Sequence, residues 1–271
     1  MRLRFYYIIF ILLVKSFWAN AQQDTGFVLN KFIQGNIVDF AVDNLGNIYL
    51  LSIGNQLKKI GPGGDSLAVY NDVPRYGKIS SMDVTNPLKI LLYYREFATI
   101  VMADRFLNVV NTIDLRNLNI FQAKAIGLAY DNNIWIYDEL EAKLKRVRDD
   151  GSIVNVTTDI RQFVDVVPEP SIIADQSGLV YLYDTARGLY IFDHYGAFQK
   201  HIQLPGWQDF GVIEKSLLGR DEKYFFRYQS GDPGVQQQII PPAYLPAIKI
   251  IIMPGAIYVL KQKGLEIYTR K

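Results

Sequence analysis

The sequence contains no cysteine at all. That excludes disulfides, thiolate metal centres, cysteine nucleophiles and attachment of a lipid through an N-terminal cysteine. Histidine is nearly as scarce, with only His194 and His201 in 271 residues. There is no Gly-x-Ser-x-Gly elbow, no phosphate-cradling glycine loop and no Asp-x-Asp-x-Asp-Gly calcium loop. Nucleophilic and nucleotide chemistry therefore lack a sequence basis. An excess of charge of one sign is missing as well. The 29 basic and 27 acidic residues nearly cancel, so nothing draws the chain to nucleic acid or an anionic membrane.

Long apolar runs are limited to one, at residues 5–14, preceded by Arg2 and Arg4 and closed by Lys15. It is too short for a spanning helix, which needs about 20 apolar residues. Ala19-Asn20-Ala21 follows as a small-x-small cleavage pattern. The segment reads as a signal peptide cleaved after Ala21, leaving residues 22–271 as one domain with no transmembrane segment. Its removal lowers the basic count from 29 to 26 against 27 acids. The expected location is periplasmic or secreted, in a bacterial envelope.

What is present is apolar and aromatic. Hydrophobic residues make up 49% and aromatics 13% of the chain, in a mixture of Val, Ile, Leu, Tyr and Phe that favours strands. A phrase recurs: Ala41-Val42-Asp43-Asn44-Leu45-Gly46-Asn47-Ile48-Tyr49, then Ala129-Tyr130-Asp131-Asn132-Asn133-Ile134-Trp135, then Ala174-Asp175-Gln176-Ser177-Gly178-Leu179-Val180-Tyr181. Each is a strand, an Asx- or Gly-bearing turn and a strand. Each is followed by a second hairpin, so the unit has four strands. Weaker copies at residues 88–113, 223–228 and 255–269 bring the total to six. The second-strand markers Tyr49, Leu91, Trp135, Tyr181, Phe225 and Tyr258 are spaced 42, 44, 46, 44 and 33 residues apart, close to the period of a propeller blade.

The sixth unit stops after three strands, while residues 26–33 form a strand-like run without a blade. The run is expected to supply the missing outer strand and close the ring, burying Phe27, Leu29 and Phe32. Residues 138–149 have helical spacing at Leu140, Leu144 and Val147 but are read as strand because the repeat demands it. The reading is all-β: a six-bladed propeller of four-stranded blades.

The phrase AVDNLGNIYLLSIGNQLKKIGPGGDS resembles an NHL-type blade, as also found in six-bladed propellers of the gluconolactonase type. The resemblance covers most of residues 26–271. It implies a fold rather than a function. Gluconolactonase-type propellers hold a divalent cation on the axis through Glu, Asn and Asp ligands. No Glu stands on an early inner strand here, so those ligands are not carried over. Asp43, Asp131 and Asp175 are read as turn caps, and no metal or cofactor is implied. His194 falls in a turn and His201 on an outer strand, so no catalytic residue is assigned. Asp65-Ser66-Leu67 and Asp184-Thr185-Ala186 match a short pattern that some bacteria O-glycosylate, in keeping with export.

Loops from second to third strand and connections between blades emerge on one face of a propeller. That face should carry Arg75, Tyr76, Tyr94, Arg95, Glu96, Asp138, Glu139, Asp184, Arg187, Trp207, Arg227 and Tyr228. Aromatic and Arg side chains are the usual anchors of interfaces. Residues 161–170 and 239–246, apolar and proline-bearing, are secondary candidates. The function expected is non-catalytic binding of a protein or peptide in the envelope, by a monomeric fold that can enter a larger assembly. A metal-dependent propeller hydrolase or lactonase, or a carbohydrate-binding propeller, is the alternative.

Overall fold

The computed structural model describes residues 26–271, so the leader read at residues 1–21 lies outside the described residues. Twenty-four strands form six antiparallel four-stranded sheets. Blade 1 is β2 (Ile37–Val42), β3 (Ile48–Ser52), β4 (Leu57–Ile60) and β5 (Ser66–Tyr70). Blade 2 is β6 (Ser81–Asn86), β7 (Lys89–Tyr94), β8 (Thr99–Ala103) and β9 (Val109–Asp114). Blade 3 is β10 (Ala123–Leu128), β11 (Ile134–Asp138), β12 (Lys143–Val147) and β13 (Ile153–Val156). Blade 4 is β14 (Ile172–Gln176), β15 (Leu179–Asp184), β16 (Gly188–Asp193) and β17 (Phe198–Ile202). Blade 5 is β18 (Gln208–Ile213), β19 (Ser216–Arg220), β20 (Tyr224–Gln229) and β21 (Gln236–Ile239). Blade 6 is β22 (Lys249–Met253), β23 (Ala256–Lys261) and β24 (Gly264–Arg270), completed by β1 (Phe27–Gln34). The chain is a six-bladed β-propeller, all-β as expected.

Burial explains why the sequence carries two kinds of strand. Second strands such as Ile-Trp-Ile-Tyr-Asp of β11 are buried at every position, because neighbouring blades cover both faces of the sheet. Fourth strands such as β21 are exposed throughout. The core is divided into six clusters, one at each seam between blades. Phe40 of blade 1 and Tyr258 of blade 6 share one of them, with ring centroids 6.5 Å apart, so the last seam is filled like the others. Residues 143–147 are strand β12, not helix. The 3.6-residue spacing there is overridden by pairing on both sides, with β11 and with β13.

Two expectations need correction. β1 does close blade 6, pairing antiparallel with β24, but Leu29 and Phe32 stay 54% and 47% exposed. Phe27 and Ile33 are the residues that pack inward. A shift in register between Leu29 and Lys31 breaks the simple alternation. In blade 5 the marker Phe225 lies on the third strand, β20, and the second strand is β19 (Ser-Leu-Leu-Gly-Arg). Leu218, opposite Gly211, is the true equivalent of Tyr181, opposite Ala174. The short last spacing was the sign of this displacement.

Candidate functional site

The expected loop face exists, but its candidates divide into three groups. Arg95 and Glu96 are exposed in the short 3-10 turn after β7, and Arg75 is exposed in the one-turn helix α1 (Val73–Tyr76) between blades 1 and 2. Glu139 and Arg187 are half-buried. Tyr76, Tyr94, Asp138, Asp184 and Trp207 are buried. Tyr94 and Tyr76 pack in the seam of blades 1 and 2, 5.3 Å between rings, and the Tyr94 hydroxyl donates to that of Tyr70 at 3.1 Å. Arg227 and Tyr228 do not belong to this face. They pair with Leu218 and Leu217 in the lower half of β19, and Arg227 Nε donates to Ser216 Oγ at 3.2 Å, beside the turn on the opposite face. Misplacing the second strand of blade 5 turned them over.

The structure draws four of the remaining candidates together through Glu169, from the secondary segment 161–170, and through Lys124, which the sequence reading missed. Lys124, on inner strand β10, donates to Glu139 and Glu169, both at 3.1 Å. Arg187 lies 2.9 Å from Asp184 and 3.9 Å from Glu169. The Glu169 backbone N–H donates to Asp184 Oδ2 at 2.7 Å. Arg95 Nη2 donates to the Lys124 carbonyl at 3.2 Å. Hydrogen bonds that the Lys124 ammonium donates to Glu139 and Glu169 hold it above its ordinary range. Burial works against the Asp184 carboxylate, yet the Glu169 N–H and Arg187 outweigh it and keep that carboxyl low. Beside this network, Lys145 is paired with Asp138 at 2.7 Å and Glu141 at 2.9 Å. Burial opposes the Lys145 charge, but these two partners raise its pKa overall. Lys124 carries no repeat signature, which is why spacing could not find it.

Exposed apolar side chains lie on the same face, in the loops of blades 2 and 3. Phe97, Phe121 and Leu140 are 43%, 58% and 55% exposed. They sit on adjoining loops tied by backbone hydrogen bonds, Leu115 N–H to the Ala98 carbonyl at 2.8 Å and Glu139 N–H to the Gln122 carbonyl at 2.9 Å.

The axis is lined by the first strand of each blade, and its carboxylates are engaged in holding blades together. Asp83 Oδ2 accepts from the Leu128 N–H of blade 3, and Asp209 Oδ2 from the Ile250 N–H of blade 6, each at 2.7 Å. Asp209 also meets Arg220 at 2.5 Å, and Asp39 meets Lys249 of blade 6 at 2.7 Å. Among the described residues no three His, Asp or Glu side chains converge as a metal set. Asp43 and Asp131 cap their own turns, as expected. Asp175 does not. Its Oδ2 accepts from the Trp135 Nε1–H at 2.9 Å and the Tyr130 N–H at 3.2 Å, both in the preceding blade.

Burial pushes the Asp175 carboxyl above the ordinary range, against the pull of those two donors. A carboxyl raised in the fold is favoured there in its neutral form, so its contribution to stability grows as pH falls towards the unfolded value and is lost as pH rises. Thermal melts of Asp175→Asn and wild type between pH 4 and 8 test this. The gap between them should move in the wild type's favour as pH falls. A gap independent of pH would remove Asp175 from the titration.

No family model matches the chain, and no curated protein matches it in sequence. Solved structures do match in fold. A virginiamycin B lyase from Staphylococcus aureus, solved with quinupristin, superimposes with a TM-score of 0.59 at 14% identity over 90% of this chain and 89% of its own. The Pan2 WD40 domain of Neurospora crassa gives 0.61 at 10% identity over 87% and 79%. YCF48 bound to D1 peptide gives 0.56 at 9% identity over 92% and 98%. At such identities the likeness is one of fold: this chain is built as a propeller on the plan those proteins share.

Proposed function

We propose that this protein is a non-catalytic, exported propeller that docks an extended stretch of a protein or peptide partner on the loop face of blades 2 to 4. The observation that carries the reading is that exposed Phe97, Phe121 and Leu140 share the loop face with the ion-pair network of Lys124, Glu139, Glu169 and Arg187. Apolar anchors on fixed loops lose little freedom on binding, and a few such anchors carry most interface energy. Charged neighbours already held in place set orientation. YCF48, a propeller of similar fold, is bound to D1 peptide, which makes this use of the architecture physically reasonable. Export rests on the leader pattern at residues 1–21 and places the partner in the envelope.

The test is a triple replacement of Phe97, Phe121 and Leu140 by Ser. These side chains are exposed, so the melting temperature should stay within a few degrees, surface changes costing under about 0.5 kcal/mol each. Affinity capture from the native envelope should lose the partners that the unaltered protein retains. Identical captured sets for both proteins would overturn the assignment of this face.

A further inference from the structure

The face opposite the proposed docking surface carries a second aromatic group. At the seam of blades 3 and 4, Tyr130 and Tyr195 are 58% and 69% exposed. His194 stands between them, 5.3 Å from the Tyr130 ring and 4.0 Å from that of Tyr195. Arg146 fixes the arrangement from beneath. Its guanidinium lies 5.8 Å from the Tyr130 ring and 5.3 Å from that of buried Trp135, and its Nη1 donates to the His194 carbonyl at 3.2 Å. Asn155 also binds the Tyr195 carbonyl. These rings are therefore held open to solvent by the scaffold rather than left loose.

Beside Tyr130 in the chain, the turns of blade 3 form an open, shallow crevice of about 330 Å³ lined by Asp131, Asn132, Asn133, Arg148, Asp149 and Asp150. Every lining side chain is planar and polar, and none is apolar. The charges balance locally, since Asp131 lies 3.5 Å from Arg146 and Asp149 is paired with Lys89. That leaves Asp150 against Arg148.

We infer that this seam is a binding site for a neutral saccharide. Aromatic faces receive the C–H face of a pyranose, while planar carboxylate, amide and guanidinium groups match neighbouring hydroxyls that both donate and accept. A balanced crevice gives no advantage to an anionic or cationic ligand. A peptide would need an apolar pocket for its anchors, and the crevice has none. The site is separate from the loop face, so it stands or falls independently of the docking reading.

Titration calorimetry with maltotetraose, cellotetraose, mannotetraose and chitotetraose tests the inference. At least one should bind with a Kd below about 1 mM. Tyr130→Ala combined with Tyr195→Ala should weaken that binding at least about tenfold with little change in melting temperature. Ser replacement of Phe97, Phe121 and Leu140 should leave it untouched. Failure of all four sugars to bind, binding that survives the double Ala change, or displacement of the sugar by an unrelated peptide would overturn the site.

Discussion

Deleting residues 26–34 should lower the melting temperature by about 10 °C or more, because it strips β1 from the last blade. Phe27 and Ile33 pack into the seams on either side of blade 6. A large apolar side chain contributes about 1.5–3 kcal/mol when fully buried, so two half-buried ones supply roughly 2–3 kcal/mol. In a domain of this size each kcal/mol corresponds to about 2–4 °C. Loss of the ladder along the whole of β24 adds to that. The register is tightly specified. A Cβ on Gly264, at φ +149°, would sit 2.2 Å from the Ile33 carbonyl oxygen, so only glycine lets β1 approach here. The Lys271 N–H donates to the Gly26 carbonyl at 3.0 Å. A circular permutant that joins these ends by a short turn and opens the chain after Gln34 should therefore keep the wild-type melting temperature. Equal stability of the deleted protein and the full one would show that the ring does not depend on this strand.

Trp207→Ala should be nearly as damaging, whereas Arg95→Ala should not. Trp207 is 5% exposed and stacks on Phe226 with centroids 5.3 Å apart. Its backbone N–H, which alanine would keep, donates to the Tyr183 hydroxyl at 2.8 Å, and that hydroxyl donates to the Leu204 carbonyl at 3.0 Å. A Cβ on Gly219 would lie 2.6 Å from the indole, so the tryptophan fills the space a side chain on β19 would take. Truncating a buried Trp costs about 3–5 kcal/mol, or roughly 6–20 °C here. Arg95 is solvent-exposed and makes one bond to a carbonyl, so its loss should cost under about 1 kcal/mol. Thermal melts of the two single variants, side by side, decide the matter. A shift below about 2 °C for Trp207→Ala would return this residue to the surface.

These two cases mark what could be read in advance. Asx-Gly turns between strands, as at 43–47 and 175–178, repeat because each hairpin must reverse locally. Their period alone specified blades, blade number and a closing N-terminal strand. Position on the loop face was equally legible for Arg95, Glu139 and Arg187, since it follows from which hairpin a residue joins. Blade 5 lacks the phrase, with Glu214-Lys215 in place of an Asx turn, and the reading slipped by one strand, carrying Arg227 and Tyr228 to the wrong face.

Burial within a loop was not legible, because it depends on what other strands present around it in the fold. Trp207 and Arg95 look alike as loop anchors in the sequence, yet Gly219 and Phe226 enclose one while nothing encloses the other. The same holds for charge. Asp43 and Asp175 look alike in the recurring phrase and both read as turn caps, but Asp43 follows the end of β2 whereas Asp175 pairs with Val180 inside β14. Only the packing of β14 against blade 3 brings the Trp135 indole N–H to Asp175 and turns it away from its own turn. Blades and their order were legible in the residues alone, because they arise from contacts between residues close along the chain. Which loop residues remain free to bind is settled only at the seams, where different strands and blades meet.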